Sequence, residues 1–182
     1  MTRTQSIQKL IDDNGYKSYL EIGLGDIKNF KTIQCDIKVG VDPAIKNVEG
    51  VLSLTSDQFF ERWMLHGENY DLIFIDGLHH SDQVERDIVN SWNCLNKGGM
   101  ILIHDIKPPT FDAQVVPRKQ AVWTGDVWRA WNGLKSTKLK LGYIEEPYGL
   151  GVIYKTRNKL ELGFVDYDTK WKEYNEAKGW LV

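Results

Sequence analysis

Apolar positions along this chain switch between two periods in a regular alternation. From Thr4 to Asn14 they recur at helical spacing, with Ile7, Leu10 and Ile11 on one face and Gly15 following where a left-handed cap is wanted. Tyr19-Leu20-Glu21-Ile22-Gly23 reads as a short buried strand running into Gly23-Leu24-Gly25, a turn where backbone bends sharply or admits a ligand. A second strand, Lys38 to Asp42, closes on an acid before Pro43. A third, Val51 to Leu54, leads into Thr55-Ser56-Asp57, where Ser56 or Asp57 is expected to cap a helix through Phe59, Phe60 and Trp63. Tyr70 to Gly77 carries a continuous apolar run closed by Asp76 and Gly77, as expected of a central parallel strand covered on both faces. Ser81 or Asp82 then caps a helix whose inner face is Val84, Ile88, Trp92 and Leu95, with Gly98-Gly99 ending it. Met100 to Ile103 forms a fifth strand that stops at His104-Asp105.

The stretch from Lys107 to Lys119 has no periodicity and is expected to loop over the strand ends. Trp123 to Leu134 follows as a helix with Val127, Trp128, Trp131 and Leu134 on one side. Two last strands, Leu141 to Glu145 and Gly151 to Tyr154, are joined through Pro147-Tyr148-Gly149, and a polar, aromatic-studded helix is expected from Asp168 to Val182. Five strand–helix alternations giving way to a hairpin predict one α/β domain over residues 1–182. Its sheet should be Rossmann-like, mostly parallel and seven-stranded, with an antiparallel edge hairpin and helices on both faces. Barely a dozen residues separate the first glycine turn from the second strand, so the first crossover helix must be short or irregular.

A formal net charge of −2 offers no global field for nucleic acid or an anionic membrane, which favours a small molecule as partner. Two cysteines, Cys35 and Cys94, form neither a disulfide framework nor a zinc site. Residues 1–20 lack the apolar centre of a signal peptide, and no later run is long enough to span a bilayer, so a cytoplasmic location is expected. Lys135, Lys138 and Lys140 read as a wet face.

In a sheet of this kind ligands sit beyond the carboxyl ends of the strands. Gly23-Leu24-Gly25, Asp42, Ser56-Asp57, Asp76 with His79 and His80, and His104-Asp105 all fall there. Gly23 suits close backbone approach, and Asp42, 19 residues later, suits the ribose hydroxyls of an adenosine-bearing cofactor. A pyrophosphate would be repelled by Glu21 and Asp26 around that turn, whereas a cationic sulfonium with an amino group would be attracted, which disfavours a nicotinamide oxidoreductase. The other reading of those acids is that they cap local backbone or face water. His79, with an ordinary pKa of about 6.5, suits the removal of a proton from an oxygen or nitrogen acceptor. Its neighbour His80 points elsewhere on any regular backbone, and both could instead be capping or solvated histidines. Asp76, His104 and Asp105 form a possible divalent-metal set, and Asp105 could equally cap backbone; no metal is assigned in the leading reading.

The chain resembles the class I S-adenosylmethionine-dependent methyltransferases through Glu21-Ile22-Gly23-Leu24-Gly25, Val41-Asp42-Pro43 and Phe74-Ile75-Asp76-Gly77. Ile75 to His79, Asp87, Lys97-Gly98-Gly99, Ile103-His104-Asp105 and Gly125 to Trp131 are similar to a bacterial branch associated with small-molecule or glycan tailoring. The resemblance covers residues 16–155, with Ile27 where many members have a third glycine. It implies that Glu21, Gly23 and Gly25 contact the methionine part, Asp42 the ribose and Ser56-Asp57 the adenine edge, with Asp76 and His79 facing the methyl group. His104 and Asp105 join Asp76 and His79 as candidate catalytic residues. The expected function is methyl transfer from S-adenosylmethionine to oxygen or nitrogen of a small molecule or sugar, the alternative being a non-catalytic cofactor-binding or regulatory module. Residues 107–123, with Phe111, Val115 and Val116, are expected to form a lid that builds the acceptor pocket together with Trp128 and Trp131. Two motifs are set aside. Lys107-Pro108-Pro109-Thr110 follows the wrong strand for an amino-methylating DNA enzyme, and Tyr174 to Lys178 lies too late for a dehydrogenase Tyr-x-x-x-Lys.

Overall fold

The structure, a computed structural model, describes residues 1–155. The expected helix at 168–182 and the Tyr174-to-Lys178 motif lie outside the described residues.

Helix α1 (Arg3–Asn14) starts at Thr2, which accepts from the Gln5 amide while the Gln5 side chain bonds back to the Thr2 N–H, and it ends on Gly15 at φ +63°. Strand β1 (Ser18–Ile22) follows, then a five-residue α2 (Lys28–Thr32), β2 (Ile37–Val41) and a short β3 (Val51–Leu52). The remaining elements are α3 (Ser56–His66), β4 (Tyr70–Ile75), α4 (Ser81–Cys94), β5 (Leu95–His104), α5 (Val127–Leu134), β6 (Lys140–Ile144) and β7 (Leu150–Tyr154). They build one seven-stranded sheet in the order β3-β2-β1-β4-β5-β7-β6, parallel from β3 to β5, with β7 antiparallel to both of its neighbours. The order reverses between β1 and β4, and a crevice opens there because their crossovers leave in opposite directions.

Period-two alternation divides the apolar residues between two layers. Leu20, Ile22, Ile73, Ile75, Ile101 and Ile103 pack with Phe59, Ile88, Trp92 and Trp131 of α3, α4 and α5. Tyr19, Leu72, Phe74 and Leu102 pack with Ile7, Ile11 and Phe30 on the side of α1 and α2.

Several expected boundaries move, each for a local reason. Helix α3 is capped by Thr55, in a box with Gln58, and neither Ser56 nor Asp57 caps it. Helix α4 stops at Cys94, and Leu95 already pairs with Tyr70 in the sheet. Gly98, at φ +79°, and Gly99, where a Cβ would meet the Asp71 carbonyl at 2.6 Å, therefore serve a strand irregularity and do not cap a helix. No side chain of α4's own first turn caps it. Asp126 does so from 45 residues away, accepting from the Ser81 N–H at 2.7 Å and the Ser81 hydroxyl at 3.0 Å. Helix α5 begins at Val127 and not at Trp123, because residues 123–126 are bonded elsewhere: the Thr124 and Gly125 amides both donate to the Ala113 carbonyl, and the Asp126 amide to that of His79.

Candidate active site

The turn after β1 packs against the end of β4. Gly23 takes φ +83°, its N–H donates to Val41, and a Cβ there would stand 2.2 Å from the Asp76 carbonyl. Only glycine permits this approach. Gly25, at φ +50°, faces open space in which a Cβ would have no neighbour within 4 Å. Asp42 is oriented by two amides, Leu24 N–H to Oδ2 at 2.9 Å and Ala44 N–H to Oδ1 at 2.8 Å. Each oxygen keeps a lone pair for a further donor. Ser56 and Asp57, at the start of α3, both accept from the Gln83 amide at 3.1 Å.

These residues line one cavity of about 820 Å³ at the carboxyl ends of the strands, within the size range of small-molecule sites. Gly23, Gly25, Asp42, Ser56, Asp57, Asp76, His79, His104 and Asp105 are all on its wall; Glu21 is not. Alternation turns Glu21 to the α1 side, where it is 1% exposed and accepts from the Tyr19 hydroxyl at 2.8 Å and from Asn29 at 3.0 Å. Burial raises its carboxyl to about 7, outweighing those two hydrogen bonds. The expected direct contact of Glu21 with the methionine part is therefore corrected: its carboxylate is buried behind the wall.

A network of charges occupies the far end. Asp76 accepts from Arg3 Nη1 at 2.6 Å and from His104 Nδ1 at 3.2 Å, with His79 Nε2 at 3.6 Å. Burial would raise the Asp76 carboxyl, but the hydrogen bond from His104, the nearby His79 ring and the charges of His104 and Arg3 hold it well below the carboxylate range. Asp105, at φ +62° and thus in backbone that favours glycine, sets Oδ2 3.2 Å from His79 Nε2 and Oδ1 3.3 Å from His104 Nδ1. Strain of this kind persists only where the surroundings hold it, and here two imidazoles do. His104 Nε2 stands 3.4 Å from Glu146, whose side chain is 1% exposed. Burial alone would lower His104, yet its close contacts with the carboxylates of Asp105, Asp76 and Glu146 push it up to about 11. His104 is thus an imidazolium locked among three carboxylates, which suits it to charge balance and not to proton transfer.

His79 is placed differently. Its Nδ1 is 3.1 Å from the Trp123 carbonyl, which can only accept, so Nδ1 carries a proton and Nε2 is the atom that titrates. Burial opposes the charged ring, but the nearby carboxylates of Asp76 and Asp105 raise its pKa overall. Trp123 stacks on the imidazole at 5.3 Å, and a Cβ on Gly125 would strike the His79 carbonyl at 1.8 Å. His80 is off the wall and meets Trp123 only edge-on. The ligand atoms that gather within 4.8 Å of one another belong to Asp76, His79 and Asp105, so His79 takes the place expected of His104 in a metal-binding set.

Leu78, Ala121, Val122, Trp123 and Tyr148 complete the lining of the cavity. Trp128 and Trp131 are 1% and 6% exposed and belong to the core, and Phe111, Val115 and Val116 line a separate hollow with Arg129. The expected contribution of those two tryptophans to the acceptor pocket is corrected accordingly. Sequence reasoning missed Arg3, Glu146, Trp123 and Tyr148. The first two carry no local signal, since they reach the site from the start of α1 and from the β6–β7 turn.

A family profile described as a methyltransferase domain matches residues 5–106, more than half of the 182-residue chain. No curated protein sequence matches it. Among solved structures, the O-methyltransferase from Bacillus cereus, in complex with SAH, is similar with a TM-score of 0.62 and 14% identity, over 85% of this chain and 82% of that one. The O-methyltransferase TomG from Streptomyces achromogenes, involved in tomaymycin synthesis and in complex with SAM, gives 0.57 and 12%, over 85% and 79%. MycE of the mycinamycin biosynthetic pathway, in complex with Mg, SAH and mycinamycin VI, gives 0.57 and 15%, over 88% of this chain and 51% of that one. At these identities the likeness is one of fold. Together with the family match, the seven-stranded order and the cavity at its switch point place this chain in the methyltransferase-domain family, with the fold of the class I enzymes.

Proposed function

We propose that this protein transfers the methyl group of S-adenosylmethionine to an oxygen or nitrogen of a small molecule or sugar, with His79 as the base. The observation that carries this reading is the placement, in one cavity, of the Gly25 cradle and Asp42 toward one end and of His79 Nε2 among carboxylates at the other. S-adenosylmethionine, when bound, supplies an electrophilic methyl carbon. The chain's own residues do the rest. Gly23 and Gly25 allow close backbone approach, Asp42 offers acceptors to ribose hydroxyls, and Ser56 and Asp57 stand where an adenine edge would lie. Acids on the wall favour a sulfonium over a phosphate. His79 Nε2, once neutral, accepts the acceptor's proton, and holding acceptor and methyl donor in line supplies much of the rate.

Asp76, His79 and Asp105 also suit a divalent cation, since two carboxylates and an imidazole whose other nitrogen is held by a carbonyl make an acceptable donor set. With such an ion bound, His79 Nε2 would be a ligand and could not take the proton, so in this second reading the ion's positive charge beside the acceptor oxygen, which loses its proton to solvent, would replace the base. The O-methyltransferase neighbours support an oxygen acceptor, and MycE with its bound Mg makes an ion compatible with this fold. The cavity wall, with Arg3 its only arginine or lysine among the described residues, supports a small acceptor over nucleic acid. Free Cys35 and Cys94, and the absence of any described helix long and apolar enough to cross a membrane, support the proposed cytoplasmic location.

Calorimetric titration with S-adenosylmethionine and S-adenosylhomocysteine, followed by an acceptor screen beginning with sugars, tests the reading. Once an acceptor is found, His79→Ala should lower turnover by about 10²–10⁴-fold while leaving S-adenosylhomocysteine affinity within a few-fold. No binding of either ligand at millimolar concentration would refute the cofactor, and unchanged turnover would refute the base.

A further inference from the structure

S-adenosylmethionine ends in an amino acid, so any site that takes it must accept a carboxylate as well as a sulfonium and an ammonium. The cavity wall is poorly suited to a carboxylate almost everywhere. Asp26, Asp42, Asp57, Asp76 and Asp105 line it, against the guanidinium of Arg3 and the imidazole of His104, which is already enclosed by carboxylates. Arg3 is the first residue of α1, whose start is fixed by the reciprocal Thr2–Gln5 bonds. Its guanidinium lies over the Phe74 ring at 5.4 Å, and it shares the wall with Gly23, Leu24 and Gly25. Only Nη1 is engaged, donating to Asp76 Oδ2 at 2.6 Å, with the His104 ring 3.3 Å away. Nε and Nη2 have no partner among the described residues, and the side chain is 31% exposed. A guanidinium presents five donors in a fork that matches a carboxylate, so one nitrogen can hold Asp76 while another meets a ligand.

We propose that Arg3 binds the carboxylate of the cofactor's amino-acid end while remaining paired with Asp76, and so selects ligands that carry that group. The inference rests on the proposed cofactor and deepens it. It makes α1 part of the binding site, where the residues of the glycine turn alone would leave the carboxylate facing acids.

A binding cycle tests it. Wild type, Arg3→Ala, Arg3→Gln and Arg3→Lys are titrated with S-adenosylhomocysteine and with its analogue in which the carboxylate is a primary amide, and circular dichroism checks each variant's fold. For the wild type the amide should bind about ten- to hundred-fold more weakly than the acid. Arg3→Ala and Arg3→Gln should lose a similar factor on the acid and little more on the amide, with Arg3→Lys in between. Because the wild-type comparison of acid with amide needs no substitution, a variant that misfolds leaves the test in place. Equal weakening of both ligands by Arg3→Gln, or equal affinity of the wild type for acid and amide, would overturn the proposal while the cofactor stands. Failure of the wild type to bind S-adenosylhomocysteine at all would overturn both.

Discussion

Glu21 shows what one position can do from behind the site. Its carboxyl is raised by burial to about 7, above the ordinary value of 4.5, so folding favours its protonated form. That contribution is fully present below pH 4.5 and is lost as the pH climbs toward 7. The shift corresponds to a change on the order of 3 kcal/mol across that window. Glu21→Gln keeps an oxygen to accept from Tyr19 and Asn29 and removes the ionisation. Urea denaturation should show the variant gaining on the wild type by about 2–3 kcal/mol between pH 4.5 and 7.5, and a constant difference would contradict the assignment. At this scale the sequence was readable wherever residue type and strand position agreed: Asp42, Asp76 and His79 stand where strand ends predict. Glu21 was misread because an acid before a glycine turn says nothing about which face it takes, and that is decided by the parity shared with Tyr19. Ile27 was legible only as an anomaly. It replaces a third glycine in the motif and takes φ +62°, left-handed backbone that a β-branched residue enters only under strain, while packing against Tyr19's layer of the core.

Among the elements, those long enough to show a period were predicted, and so was the Gly15 cap of α1, whereas the caps of α3 and α4 and the start of α5 were not. Helices α1 and α4 follow from their apolar spacing, but the cap of α4 is a carboxylate 45 residues downstream, which no window on the helix contains. Asp126 places a negative charge and two acceptor oxygens on α4's first turn. Asp126→Ala should therefore cost about 1–2 kcal/mol, and Asp126→Asn distinctly less, in the urea midpoint at unchanged slope. Equal effects of the two substitutions would show that packing of the 123–126 segment matters more than the cap. The same segment supplies the carbonyl that orients His79, so Asp126→Ala should also lower turnover, whereas Ser81→Ala, which removes one of the two bonds, should do so less. The hairpin was expected at the sheet's edge. The structure adds that β7 inserts between β5 and β6, which puts Glu146 and Tyr148 beside the ends of β4 and β5.

For the molecule as a whole, the site draws on residues from Arg3 to Tyr148, so filling it should stabilise the fold globally. At a hundred times its dissociation constant, S-adenosylhomocysteine should add about 2.7 kcal/mol of stability. It should also slow tryptic cleavage after Arg118 and Lys119, both exposed in the 107–123 segment that we propose as a lid. Equal cleavage with and without ligand would remove that segment from the mechanism. The fold class could be read from the sequence because alternation of strand and helix is a property of the whole chain. The charge network could not, since Arg3, Asp76, His104 and Glu146 meet only after α1, β4, β5 and the β6–β7 turn have packed together. One feature of that packing reaches beyond catalysis. The loop that leaves the sheet at Asp105 is pinned at Ala113 and Val115, whose carbonyls accept from Thr124, Gly125 and the Trp123 indole, and again at Trp123–Asp126, against His79 and α4, so the stretch 116–122 between hangs from two fixed posts. Its length and sequence can drift without moving either post, which lets a lineage exchange one acceptor for another while inheriting its chemistry intact.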